Sequence, residues 1–207
     1  MITGAGNAFC AGADLKERRS IAIETWKAQH AVLVKSFEKM LACPIPIIAA
    51  VNGAAFGGGL EIILASDFAY AINTATFSQS EVKIGLIPGA FGTQHLPRVA
   101  GIKRAKELIF TGDVFNAAEA LAWSIINKVV EPSELISTVL ATAIKIADNA
   151  PLAIKAAKKA INATQEMSLT SGFNCELEAY YEALMSQDRQ EGILAFNEKR
   201  KPHFTGN

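Results

Sequence analysis

The sequence predicts an α/β fold, and three observations carry that prediction. From residue 1 to about residue 130, short apolar or β-branched runs alternate with helix-like segments, the pattern of parallel strands joined by helical crossovers. Two glycine-rich stretches, residues 4–15 and 56–67, each follow a strand-like run and each lead to an acid, Asp14 in one and Glu61 in the other. From Pro132 onward the texture changes to Ala, Leu, Ile, Lys and Glu at helical spacing, which marks amphipathic helices packed on something apolar. The chain is therefore divided into an α/β core, 1–131, and a helical region, 132–207.

The elements follow in order. "MITGAG" reads as a strand entered near its end, and "IPIIAAVNG" is the clearest strand, stopped by Asn52 and Gly53. A helix is predicted from Gly59, then strand-like "DFAYAI" and "ATFSQS", then "GLIPGAFGT", whose Gly/Pro content makes a tight irregular connection. "KVVEP" is the last short strand. Beyond it three or four helices are predicted, one of them opened by Pro151, since proline suits a first turn. There is no internal repeat or low-complexity tract, and the helical tail is expected to pack on the core, on a partner subunit, or on both.

Bulk properties exclude several classes of function. Half of the 207 residues are apolar, and Lys+Arg and Asp+Glu are 20 each, for a formal net charge of zero. No global field recruits nucleic acid or an anionic membrane surface. The apolar runs at 45–51 and 60–65 are too short to span a bilayer, so neither nucleic acid nor membrane is expected as a partner. Cys10, Cys43 and Cys175 are odd in number and lack C-x-x-C spacing, against a disulfide framework or zinc knuckle. A reducing compartment is expected, cytoplasmic, or the mitochondrial matrix in a eukaryote; no secretory signal is read at the N-terminus. His30, His95 and His203 lack metal-ligand spacing and read as surface or loop positions, and G-x-S-x-G is absent. The dinucleotide fingerprint fails because Phe9 stands where its third glycine belongs, and the G-x-x-x-x-G-K-[ST] phosphate loop is absent.

What remains is the chemistry of glycine beside an acid. Gly57, Gly58 and Gly59 precede Glu61. Glycine permits close backbone approach, and a helix N-terminus offers free N–H groups with partial positive charge. Such a turn can hold an oxygen that becomes negative during a reaction; alone, a glycine-rich turn is more often a packing device.

"AFCAGADLKE", "NGAAFGGGLEI", "SEVKIGLIPGAFGTQHLPR", "AKELIFTG" and "AFNEKRKPHF" occur in this order, and the series resembles the crotonase, or enoyl-CoA hydratase/isomerase, superfamily. The resemblance implies a ββα spiral core and a C-terminal helical region used in trimerisation, as a homotrimer or a dimer of trimers. It implies an acyl-CoA substrate, a place in fatty acid metabolism, and no metal or redox cofactor, coenzyme A entering as part of the thioester. By match, the N–H groups of Ala13 and Gly58 polarise the thioester carbonyl; a donor of this kind typically contributes about 3–4 kcal/mol to the transition state. Glu61 matches the residue that activates water, Glu81 the acid for the α-carbon, and Gly89 a position whose backbone N–H helps hold the water and the acid side chains. Ala11, Ala13, Asp14, Leu15 and Gly58 match the acyl-CoA cradle, and Phe196 and Lys199 match residues that reach the CoA of a neighbouring protomer.

Both glutamates together favour hydration of a trans-2-enoyl-CoA over double-bond isomerisation, the alternative within the family. "CAGADLKER" also resembles methylglutaconyl-CoA hydratases, and a non-catalytic or RNA-binding member is the alternative outside the enzymes. The lysines of "LAIKAAKKAINATQ" read as the solvated face of a packed helix. Two positions depart from the family pattern, Phe91 for a glycine and His95 for an arginine. Members also usually carry a hairpin, a strand and a helix ahead of the segment at which this sequence starts.

Overall fold

The computed structural model describes all residues, Met1–Asn207. They form two compact units, one of Met1–Cys43 with Ile47–Leu140, the other of Pro44–Pro46 with Ala141–Asn207.

The first unit contains β1 (Ile2–Thr3), β2 (Ala8–Cys10), α1 (Leu15–Arg18), α2 (Ile23–Leu41), β3 (Ile48–Val51), β4 (Ala54–Phe56), α3 (Gly58–Ala65), β5 (Phe68–Ile72) and β6 (Thr76–Ser78). A 3₁₀ turn at Glu81–Ile84 leads to α4 (Gly92–Ala100), α5 (Ile102–Thr111), β7 (Phe115–Asn116), α6 (Ala117–Ala122), β8 (Lys128–Val130) and α7 (Leu135–Ala147). The strands make two four-stranded sheets, β1-β3-β5-β8 and β2-β4-β6-β7. Successive strands up to β6 alternate between the sheets, so the chain advances as a spiral, as the resemblance implied. One pairing departs from the parallel pattern: β7 runs antiparallel to β6, with Phe77 opposite Phe115 and their rings stacked at 5.4 Å.

The strand read in "IPIIAAVNG" stops at Asn52 and Gly53 as expected, and a further strand that the sequence did not suggest follows at once: the chain turns a corner and re-enters the other sheet as β4. Asn52 fixes that corner from its side chain: Oδ1 accepts from Gly4 N at 2.9 Å, and Nδ2 donates to the carbonyl of Gly6 at 2.9 Å. Small side chains let the layers close on each other, Ala49, Ala50, Val51, Ala55 and Ala71 being wholly buried.

The second unit is helical, with the end of α7, then α8 (Pro151–Ala163), α9 (Leu169–Leu184) and α10 (Gln187–Asn197). Its C-terminal strand of coil is tied down by buried Asp188, which accepts from Thr205 N at 2.7 Å and Gly206 N at 2.9 Å. No single helix is long and apolar enough to cross a membrane.

Candidate active site

Parallel pairing of β2 with β4, Ala8 opposite Ala54 and Cys10 opposite Ala55, brings the carboxyl ends of two strands together. The turns that follow therefore emerge side by side, the usual place for a ligand crevice in α/β sheets. Gly12, at φ +89°, shows how close they come: a Cβ there would lie 3.0 Å from the Phe56 carbonyl oxygen and 4.0 Å from Gly58 N.

The three glycines at the start of α3 have three different reasons. Gly57 takes φ +54°, and a Cβ on it would lie 3.1 Å from Glu81 Oε1. Gly59 is pressed on the end of β2, where a Cβ would fall 2.1 Å from the Cys10 carbonyl oxygen. Around Gly58 a Cβ would meet nothing within 4 Å, and its N–H, in the first turn of the helix, has no acceptor within the helix.

Glu61 lies in that first turn and is 2% exposed. Its Oε1 accepts from Ala90 N at 2.7 Å and Gly92 N at 2.8 Å. Phe91 between them sits at φ +72°, and this left-handed residue turns the amides on either side of it towards one oxygen. The Phe91 side chain packs on Phe37, Ala65 and Ala90, so the aromatic that departs from the family pattern is part of the core. Burial pushes the Glu61 carboxyl above the ordinary carboxylate range, against the pull of the Gly92 and Ala90 N–H groups; nearby Glu81 adds to the rise and His30 opposes it.

Glu81 opens the 3₁₀ turn after β6. Its Oε1 accepts from Gln79 Nε2 at 2.9 Å, while its Oε2 is buried without a partner, as is Oε1 of the fully buried Gln79. The structure thus brings Glu61, Glu81 and the Gly57–Gly58 turn together in one unit of the fold.

A family model described as enoyl-CoA hydratase/isomerase matches residues 1–207. The chain belongs to the enoyl-CoA hydratase/isomerase family. It is 43% identical over 206 residues to the enoyl-CoA isomerase/hydratase fer4 of Mycosarcoma maydis, covering 97% of this chain and 74% of that one. It is 42% identical over 202 residues to the short-chain-enoyl-CoA hydratase of Clostridium acetobutylicum, covering 97% and 77%. The solved enoyl-CoA hydratase of Bacillus anthracis superposes with TM-score 0.96 at 42% identity, over 99% of this chain and 80% of that one. The fold is accordingly the crotonase-type α/β spiral with a helical C-terminal region.

Within this family member, some residues singled out from sequence are placed differently from expectation. The N–H groups that hold Glu61 belong to Ala90 and Gly92; Gly89 instead turns its carbonyl to His30 Nε2, 2.8 Å away. His30 is therefore neither loop nor free surface: it lies half-buried on α2. His95 is also half-buried, on α4, where burial first and Arg98 second lower its pKa, and its ring meets that of Phe91 edge-on at 6.5 Å. Ala11, Ala13, Asp14 and Leu15 form an exposed stretch beside the Gly12 turn, and the Asp14 carboxylate is engaged as the cap of α1, accepting from Lys16 N at 2.8 Å. Phe196 and Lys199 belong to the second unit, where Phe196 is 83% exposed and Lys199 follows α10 at φ +53°. No group of three or more His, Cys, Asp or Glu side chains is arranged to hold a metal ion.

Sequence reasoning missed Gln79 and His30. Gln79 carries a faint signal, since a polar residue next to a strand and two before an acid is placed to touch it. For His30 there is none, because its partner is a main-chain carbonyl 59 residues away.

Proposed function

We propose that this chain adds water across the double bond of a trans-2-enoyl-CoA, giving the 3-hydroxyacyl-CoA. The observation that carries the reading is the meeting of Glu61 and Glu81 at the Gly57–Gly58 turn, one acid held by main-chain amides and the other by an amide side chain. With the thioester carbonyl on the N–H groups of Ala13 and Gly58, negative charge flowing onto its oxygen as the β-carbon is attacked is stabilised by those two donors. Open space beside Gly58 is what the thioester needs to approach.

The two acids divide the proton work. Both bonds to Glu61 fall on Oε1, so Oε2 is left to a water. Glu61 takes a proton from that water as its oxygen bonds to the β-carbon, Glu81 gives a proton to the α-carbon through its unpartnered Oε2, and once the product leaves, the proton held by Glu61 passes to Glu81 through solvent and resets the pair. Burial raises the pKa of Glu61, which makes its carboxylate a better proton acceptor than an ordinary one. The reading extends to a chain that needs no metal or redox cofactor, assembles as a homotrimer or dimer of trimers, and works in the cytoplasm or mitochondrial matrix.

The test follows the conjugated-thioester absorbance of crotonyl-CoA. Hydration is expected to bleach it, with kcat/KM falling at low pH along a limb above the ordinary carboxylate range as Glu61 gains its proton. The family name and the fer4 relative also include isomerases. A chain that converts a 3-enoyl-CoA to the conjugated isomer and leaves crotonyl-CoA unchanged would be one of those.

A further inference from the structure

From this geometry we infer that His30 is a positioning residue for the water-activating glutamate, acting through a single peptide group of the 88–92 loop. The Gly89 carbonyl oxygen can only accept, so His30 Nε2, 2.8 Å away, must carry the proton and donate. The nitrogen on the far side of that same peptide bond is Ala90 N, which donates to Glu61 Oε1 at 2.7 Å. A hydrogen bond to the carbonyl of an amide draws electron density from its N–H and makes it a stronger donor, the cooperative effect known in chains of hydrogen bonds. His30, the Gly89–Ala90 peptide and Glu61 are therefore one line of donors ending on a buried carboxylate.

Two further observations fit the line. A Cβ on Gly89 would lie 2.9 Å from His30 Nε2, so a glycine is what lets the imidazole reach the peptide. His30 also comes from α2, whose Phe37 packs in the cluster that receives Phe91. The same helix thus fixes the loop on both sides of Ala90, by hydrogen bond at Gly89 and by packing at Phe91.

The inference rests on the hydratase reading of Glu61, and the experiment separates the two. Three chains are compared with crotonyl-CoA as substrate: the unmodified protein, His30→Phe, which keeps an aromatic but has no donor, and His30→Gln, whose amide nitrogen sits where Nε2 does. His30→Phe is expected to lower kcat about tenfold with KM within twofold, and to move the acid limb of kcat/KM to higher pH, because a weaker N–H bond favours protonated Glu61. The titratable groups whose charge reaches Glu61 are Glu81 and His30, and only the second is changed. His30→Gln is expected to restore kcat to within threefold of the parent. A His30→Phe chain with parental kcat and an unmoved acid limb would overturn the inference, as would a His30→Gln chain no better than His30→Phe. In the unmodified protein, 15N NMR of the imidazole must show a protonated Nε2 across the working pH range; a pyridine-type Nε2 overturns it whatever the variants do. If the unmodified chain leaves crotonyl-CoA unchanged, the hydratase reading fails instead, and the NMR result still decides whether His30 donates to the peptide.

Discussion

Both Glu61 and Glu81 reach the N-terminal turn of α3, yet the protein grips them differently. Two main-chain amides fix one oxygen of Glu61, which is almost fully buried, whereas Glu81 is fixed by one glutamine side chain and keeps its other oxygen free of partners. The difference matches the tasks proposed for them. A base that must hold a water at a fixed angle gains from rigid main-chain donors, while an acid that delivers its proton needs an oxygen that nothing else claims.

The sharpest way to break the comparison is to neutralise each acid. Glu61→Gln and Glu81→Gln are each expected to lower kcat by roughly 10²–10⁴-fold, the usual worth of a general acid or base. Their stabilities should diverge. Glu61 is raised in the folded chain by burial, so its favourable contribution is complete below the ordinary carboxylate pKa and is lost as pH rises through the raised value. Glu61→Gln keeps an oxygen for Ala90 N and Gly92 N without the buried charge, and should melt higher than the parent at pH 7–8, the gap closing near pH 4. Equal melting temperatures across that range would show that burial of Glu61 costs nothing.

Adjacent glycines sharpen the same contrast between fixed backbone and open space. Gly59→Ala drives a Cβ to 2.1 Å from the Cys10 carbonyl and should cost about 3 kcal/mol, the upper end for overpacking, taking activity with it. Gly58→Ala meets nothing within 4 Å, so it should fold at least as well, since alanine is the better helix former by about 0.5–1 kcal/mol. Its KM for crotonyl-CoA should nevertheless rise several-fold if the thioester occupies that space. A parental KM in Gly58→Ala would place the thioester elsewhere.

Gln79→Leu tests the looser grip on Glu81. The substitution removes one hydrogen bond to Glu81 and also a buried carbonyl that has no partner. An orphaned buried acceptor costs on the order of 1–3 kcal/mol; the variant removes one at Gln79 and leaves one at Glu81 Oε1, so it should melt close to the parent while kcat falls about tenfold. Loss of stability without loss of kcat would assign Gln79 to the core alone.

How much of this was legible in the sequence depends on how each residue is held. Glu61, Glu81 and the glycine turns lie in ordered segments, so family resemblance picked them out, and glycine's geometry gave the reason. The β3–β4 corner was not legible, because Asn52 and Gly53 look the same whether a strand stops or turns into a second sheet. The donors to Glu61, Ala90 N and Gly92 N, lie one and three residues beyond Gly89; which amides of a loop converge depends on the φ of Phe91, and nothing in a sequence announces a phenylalanine in a left-handed conformation. Gln79 and His30 make contacts decided by sheet register and helix packing, which no spacing rule encodes.

The smallest expected effects lie at Phe91 itself, and they probe what keeps Glu61 in the tighter grip. A left-handed conformation costs a non-glycine residue about 1–2 kcal/mol, and here that cost is offset by packing of the ring on Phe37, Ala65 and Ala90. Phe91→Gly gives up both the strain and the packing, so a net loss of about 1 kcal/mol is expected. Phe91→Ala gives up the packing but keeps the strain, and should be less stable than the glycine variant by roughly 1 kcal/mol. In both, kcat should stay within about twofold, because the conformation that turns Ala90 N and Gly92 N towards Glu61 is kept. Should alanine prove as stable as glycine, the left-handed turn would have to be held by something other than a balance between ring packing and backbone strain, and His30 on the Gly89 carbonyl would be the first contact to remove alongside it.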